Sequence, residues 1–191
     1  MKKIILASSS PRRKDLLCMT EIPFEIRVKH TAEIHPRGVP EREIPVFLAK
    51  QKAHALADEI EEEIVIGADT IVLLDNKILE KPSSPEHACE MLKLLSGRTH
   101  EVITGVCLYS KEKEVVFSET TKVTFYPLTD EQINYYVSHY RPFDKAGSYA
   151  CQEWIGAIGI SRFEGDYFNV VGLPVSKVYR ALVEEFGLRF I

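Results

Sequence analysis

Apolar residues fall in two rhythms along this chain, short continuous runs and runs at helical spacing, and the two alternate. Lys3-Ile4-Ile5-Leu6-Ala7 reads as a short buried strand, and Phe24 to Val28 alternates like a half-exposed one. Ile64 to Leu74 predicts a strand interrupted at Gly67-Ala68-Asp69-Thr70, followed by a turn at Asp75-Asn76-Lys77 into Ile78-Leu79-Glu80. His100 to Tyr109 and Glu114 to Tyr126 predict a hairpin across Ser110-Lys111-Glu112-Lys113. Trp154 to Phe163 and Tyr167 to Val171 suggest two further strands. Helical spacing marks Pro11 to Thr20, and the series Val46, Ala49, Ala53, Leu56, Ala57 and Ile60. It returns in Ala88, Met91, Leu92 and Leu95, opened by Ser84-Pro85 and closed by Gly97. Thr129 and Gln132 form a capping box ahead of Ile133, Tyr136, Val137 and Tyr140. Pro174 opens a last helix with Val178, Leu182, Val183 and Phe186 inward, ended by Gly187. The stretch from His30 to Pro45, with Pro36, Gly38 and Pro40, reads as a loop. The pattern is that of an α/β protein with a mixed sheet, hairpins and crossover helices.

Composition narrows the picture. At 191 residues the chain suits one domain, 1–191, with two lobes around a cleft. A 45% hydrophobic and 27% charged content is that of an ordinary globular protein. The net charge of −4 provides no general basic field, and no aromatic–basic array is evident, so neither nucleic acid nor a membrane surface is an expected partner. The apolar run after Lys2 and Lys3 is too short for a signal peptide or a bilayer span. Cys18, Cys89, Cys107 and Cys151 are scattered without zinc spacing, as expected of core thiols in a reducing compartment. A cytoplasmic protein is the expectation.

Candidate chemistry begins at Ser8-Ser9-Ser10-Pro11-Arg12-Arg13. Ser10 and Pro11 signal a helix start, whose unpaired N–H groups and positive dipole end favour Asp or Glu. Arg12 and Arg13 add positive charge there instead. Either they flank an anion such as a phosphate chain, or they form a solvated basic turn at a cost of about 0.3–1 kcal/mol. Asp69 leaves a largely apolar run, where an ionised carboxylate needs a partner. It is either a strand-end Asp bonded to backbone amides, or a metal ligand or general base. Periodicity prefers Lys52 over Lys50 as the inward lysine, and Lys81 in Glu80-Lys81-Pro82 either comes near Asp69 if the intervening segment turns back or is a surface lysine ending a strand. Gln152 lies in the polar loop that starts at Asp144, where its amide could read a base edge or simply face solvent. Glu33 lies between His30 and His35, with irregular spacing for a zinc site, and both histidines are expected to be exposed. The known phosphate loops and nucleophile elbow, Gly-x-x-x-x-Gly-Lys-Ser/Thr, Gly-x-Gly-x-x-Gly and Gly-x-Ser-x-Gly, are absent.

Taken in order, the segments Leu6 to Arg13, Ala49 to Ala53, Gly67-Ala68-Asp69-Thr70, Leu79 to Pro82, Leu95 to His100, Asp144-Lys145-Ala146-Gly147 and Val171-Gly172-Leu173-Pro174 resemble the Maf family of nucleoside triphosphate pyrophosphatases, once described as septum-formation inhibitors. The resemblance implies an inosine-triphosphatase-like fold, a mixed sheet flanked by helices with a substrate cleft between two lobes. It implies hydrolysis of a nucleoside triphosphate to the monophosphate and pyrophosphate with Mg²⁺ or Mn²⁺. Asp69 matches the family's proton acceptor; Arg12, Thr70 and Gln152 match positions tied to substrate choice. Tyr149-x-x-Gln152 is similar to the dTTP/UTP branch, although Glu153-Trp154 follows where glycines are usual. On this reading Ser8, Arg12, Arg13, Lys52 and Lys81 surround the triphosphate, and Asp69 with Glu33 holds the metal. A homodimer, a house-cleaning role against noncanonical nucleotides and a link to division control are further implications. The competing expectation is a nonenzymatic nucleotide-binding regulator of septum formation, which would not need the chemistry of Asp69.

Overall fold

The computed structural model describes residues 2–31 and 38–190. Strands β1 (Ile4–Leu6), β2 (Phe24–Ile26), β3 (Ile64–Leu74), β4 (Lys77–Leu79), β5 (Thr99–Tyr109), β6 (Glu114–Phe125) and β7 (Ile160–Glu164) form one sheet. Their order is β2-β1-β3-β5-β6-β7, with β4 also paired to β3. The helices are α1 (Pro11–Cys18), α2 (Ile44–His54), α3 (Pro85–Leu95), α4 (Asp130–Tyr140), α5 (Trp154–Gly159), α6 (Tyr167–Val171) and α7 (Val175–Glu184). β1 pairs in parallel with β2 and β3, whereas β3–β4 and β6–β7 are antiparallel, so the sheet is mixed as expected.

The chain divides into two compact units. The first comprises Met1–Thr70, Thr104–Glu119 and Gly172–Ile191; the second comprises Ile71–Ile103 and Thr120–Val171. In the first unit Ile5 and Val65 pack with Ala49, Ala53, Leu56 and Cys107. The small residues of α2 bring that helix close to the strands. At Gly67 an added Cβ would lie 2.2 Å from the Ala49 carbonyl oxygen, and at Gly105 it would lie 2.3 Å from the Pro45 backbone. In the second unit α3 and α4 cover Val72, Leu74, Val102 and Phe125, with Leu92, Leu95 and Tyr136 among the fully enclosed side chains.

Caps and turns follow the expected chemistry. Ser84 Oγ accepts from the His87 amide, and Thr129 and Gln132 complete the capping box of α4. Asp75 and Asn76, with φ of 49° and 59°, make the two-residue turn that matches the twist of the β3–β4 hairpin.

Several expectations are corrected. β3 is not interrupted at Gly67-Ala68-Asp69-Thr70: it runs unbroken because Gly67 is the bare position that lets α2 approach. Trp154 to Phe163 is not one strand, since its first part is α5. Gly156 within α5 sits against the Cys151 carbonyl, where an added Cβ would be 1.9 Å away. Tyr167 to Val171 is helical rather than extended: Asp166 Oδ1 accepts from the Phe168 amide, and Asn169 is fully buried with Nδ2 donating to Val102 O. Of the thiols expected in the core, Cys107 and Cys151 are buried, Cys89 is half-buried and Cys18 is exposed; all four are free.

Candidate functional site

The first unit gathers most of the chemistry singled out in the sequence. β1 ends at Leu6, and Ala7 to Ser10 lead into α1, with Ser10 in extended geometry as its cap. Ser10 Oγ accepts from the Arg13 amide at 3.5 Å, and no acidic residue occupies the first turn. Arg12 and Arg13 are both half-buried there. The Arg13 guanidinium is gripped from three directions. Its Nε donates to Gly172 O at 2.8 Å, Nη2 to Thr70 Oγ1 at 3.0 Å and Nη1 to Ser8 Oγ at 3.3 Å. Thr70 Oγ1 also shares a hydrogen bond with Thr104 Oγ1 at 2.9 Å. Gly172 offers its carbonyl from φ +133°, a conformation that L side chains rarely adopt. The planar fork of Arg13 thus joins the start of α1, the middle of β3 and the segment before α7.

Next to Thr70 in sequence, Asp69 faces α2. Lys52 Nζ donates to Asp69 Oδ1 at 2.6 Å, and the two side chains are only 15% and 13% exposed. A charged pair this sheltered from solvent is held by mutual compensation, and removing one partner leaves the other in a poorly solvated place. Of the two readings of Asp69, bonding to nearby backbone amides gives way to a specific ammonium partner. Lys52 is the inward lysine, as its spacing predicts; Lys50 binds Glu114 at 2.8 Å instead.

The second unit carries Lys81 and Gln152. Lys81 is exposed after β4, and the adjacent Glu80 carbonyl accepts from the Gly147 amide at 3.2 Å, tying that segment to the Asp144–Ser148 loop. Gln152 is exposed at a turn before α5, while Tyr149, Ala150 and Cys151 are buried. Tyr149 OH shares a 2.6 Å hydrogen bond with His100 Nε2. Burial drives the His100 pKa down to about 3 and raises that of the Tyr149 phenol, so both are neutral at physiological pH. His30 is exposed as expected, whereas Glu33 and His35 lie outside the described residues.

His54 Nε2, Cys107 Sγ and a Glu114 carboxylate oxygen, all within 4.8 Å of one another, form a possible metal-binding group. Its thiol and imidazole suit a softer ion than magnesium. Lys50 already sits on the Glu114 carboxylate, and burial, with Glu114 alongside, pushes the Cys107 thiol up to about 12. A metal here would have to displace that ammonium and the thiol proton. Asp69 is an oxygen donor of the harder kind that magnesium or manganese prefers, and there too an ammonium, that of Lys52, sits on the carboxylate.

Sequence reasoning passed over Thr104 and Tyr136. Thr104 was visible as a hydroxyl inside the apolar run Val102-Ile103-Thr104-Gly105-Val106. Tyr136 had the spacing of an ordinary core residue, and its role depends on a partner distant in sequence.

The fold and site define an α/β protein with a sheltered Lys52–Asp69 pair between α2 and β3 and an arginine braced at the start of α1. A solved HAM1 protein from Coxiella burnetii shares this fold, with a TM-score of 0.52 and 17% identity, covering 96% of this chain and 100% of that one. The expected mixed sheet with flanking helices is thereby borne out. The chain belongs to the Maf family: the family model, described as Maf-like protein, matches residues 3–185. A protein of Bacillus cytotoxicus named dTTP/UTP pyrophosphatase is 52% identical over 182 residues, covering 95% of each chain. One of the same name from Flavobacterium psychrophilum is 49% identical over 182 residues, covering 95% of this chain and 93% of that protein. Among the described residues, no helix is long and apolar enough to cross a membrane.

Proposed function

We infer that this chain is a hydrolase that cleaves nucleoside triphosphates, dTTP and UTP foremost, to the monophosphate and pyrophosphate. The observation that carries the reading is the sheltered Lys52–Asp69 pair at 2.6 Å beside a threonine bound to Arg13. The reading is supported by a carboxylate able to take a proton lying beside positive charge, the combination that suits in-line attack of water on a phosphoryl group. Relatives named dTTP/UTP pyrophosphatase, about half identical over nearly the whole chain, support the substrate class.

In this mechanism Asp69 takes the proton of a water aimed at the α-phosphorus. Lys52, Arg12 and Arg13, with Ser8 and the first amides of α1, balance the charge of the phosphate chain. Lys81 adds a further cation for the departing pyrophosphate. Thr70 sets the orientation of Arg13 and, with Arg12 and Gln152, the choice of substrate; the Gln152 amide reads the pyrimidine edge. Asp69, together with Glu33, would hold Mg²⁺ or Mn²⁺, which when bound neutralises phosphate oxygens and lowers the proton affinity of water. A single functional domain, a homodimer and a house-cleaning role with a link to division control complete the proposal on the family resemblance, and the scattered thiols, short apolar run and acidic net charge support a cytoplasmic location and no nucleic-acid partner.

The test is a nucleotide panel with Mg²⁺, scored for released pyrophosphate. Pyrophosphate from dTTP and UTP in preference to purine nucleotides is the expected result. Stepwise release of orthophosphate, or binding without turnover, would overturn the reading.

A further inference from the structure

We propose that Glu153, clamped by Tyr136 and Lys145, is a positioning residue that fixes the turn presenting Gln152. The proposal rests on the reading of Gln152 as the base-recognising side chain.

An acid immediately after Gln152 raises the question of which way it faces. In the structure it turns inward. The Tyr136 hydroxyl, on α4, donates to Glu153 Oε2 and accepts from the Ala150 amide at 3.2 Å. Lys145 Nζ lies 3.5 Å from Glu153 Oε1 and 2.8 Å from Asp144 Oδ1, with its side chain only 10% exposed. One phenol therefore holds the turn on both sides of Gln152, and the carboxylate on the far side is also held by a sheltered ammonium. The Glu153 backbone closes the same turn, its amide donating to Ala150 O at 3.1 Å. From beneath, Gly156 admits the Cys151 carbonyl at a distance no side chain would allow. Tyr149 is buried and bonded to His100.

Among Tyr149 to Gln152, only Gln152 is exposed. Its Oε1 accepts a long contact from Cys151 Sγ at 3.6 Å, which biases the amide orientation. An amide that reads a base must present its donor and acceptor in a fixed sense, since a turned amide reverses the pattern. Buried networks of this kind impose one geometry when every member is satisfied. Glu153 thus acts on the base through the turn, without touching it. Its negative charge, occupied by Lys145 and Tyr136, is kept from repelling the nucleotide.

The experiment compares Tyr136→Phe, Glu153→Ala, Glu153→Gln and Gln152→Ala with the parent protein. It measures kcat and KM for dTTP, UTP and a purine nucleotide, and amide exchange across residues 149–154. Tyr136→Phe and Glu153→Ala are expected to raise KM for the pyrimidines roughly tenfold, with kcat less affected. The pyrimidine preference should shrink, and exchange at Ala150 should quicken. Glu153→Gln, which keeps an acceptor for Tyr136, should recover much of the preference. If Gln152→Ala leaves the preference intact, the base-reading role of Gln152 fails and this proposal falls with it. If Gln152→Ala abolishes the preference but Tyr136→Phe and Glu153→Ala retain it, Gln152 stands and the clamp is refuted. An equal loss of kcat for every nucleotide in the clamp variants, or unchanged exchange at Ala150 in Tyr136→Phe, also refutes it. Tyr136→Phe removes one oxygen and keeps the ring, so the test survives should Glu153→Ala not fold.

Discussion

Arg13 and Asp69 differ in how far their surroundings could be read in advance. The clash of two arginines with the positive end of α1 marked Arg12 and Arg13 as a pair. Arg13 spends donors on Ser8, Thr70 and Gly172, acceptors that no spacing rule connects. Arg13→Lys keeps the charge and cannot reach three divergent acceptors at once. We expect it to lower kcat/KM for dTTP by about tenfold or more, whereas a point-charge role would leave steady-state kinetics near the parent value. Asp69 was conspicuous as a carboxylate in an apolar run, and helical spacing turned Lys52 inward, but that the two meet is a tertiary fact no spacing carried. Asp69→Asn should reduce kcat by roughly 10²–10⁴-fold, read by pyrophosphate release with folding checked by circular dichroism. Turnover near the parent value would remove its role as base.

α2 and β3 show what patterning can and cannot deliver. The apolar series Ala49, Ala53 and Leu56 announced a helix facing the core, and that helix is present. What spacing did not convey is how closely it lies against the sheet. Gly67 looked like a strand breaker, because glycine in a strand weakens it when nothing approaches. Here the Ala49 carbonyl lies where a Cβ would be, so the same residue permits an unbroken strand. Gly67→Ala should destabilise the protein by about 1–3 kcal/mol, seen as a lower denaturant midpoint with an unchanged slope. It should also loosen the Lys52–Asp69 contact by moving α2. The misread strands at Trp154 and Tyr167 share another cause. Their apolar content is high, and the deciding contacts, Gly156 against Cys151 and Asn169 against Val102, are tertiary. Capping residues, by contrast, act within a few positions of themselves, and Ser10, Ser84 and Thr129 cap as the sequence indicated.

For the protein as a whole, His100 imposes a pH dependence. Burial lowers its pKa to about 3 in the folded state, whereas an unfolded histidine ionises near pH 6.5. Between those values the unfolded chain binds more protons, so stability rises with pH across this window. The contribution is complete above about pH 6.5 and is lost as pH falls toward about 3, at up to about 1.4 kcal/mol per pH unit. Denaturation midpoints measured from pH 7 to 4 should fall less steeply in His100→Phe than in the parent protein. A second consequence follows from the bond between Arg13 and the Gly172 carbonyl. The first unit contains both the opening residues and the segment from Gly172 onward, with Val178 and Leu182 fully enclosed. Its fold therefore depends on joining segments that lie far apart in sequence. A protein cut after Val171 should lack pyrophosphate release and show a lower thermal midpoint. Without that segment the Arg13 fork keeps Ser8 and Thr70 but loses the carbonyl that fixes its Nε, so two stretches of chain far apart in sequence clamp a single cation between them.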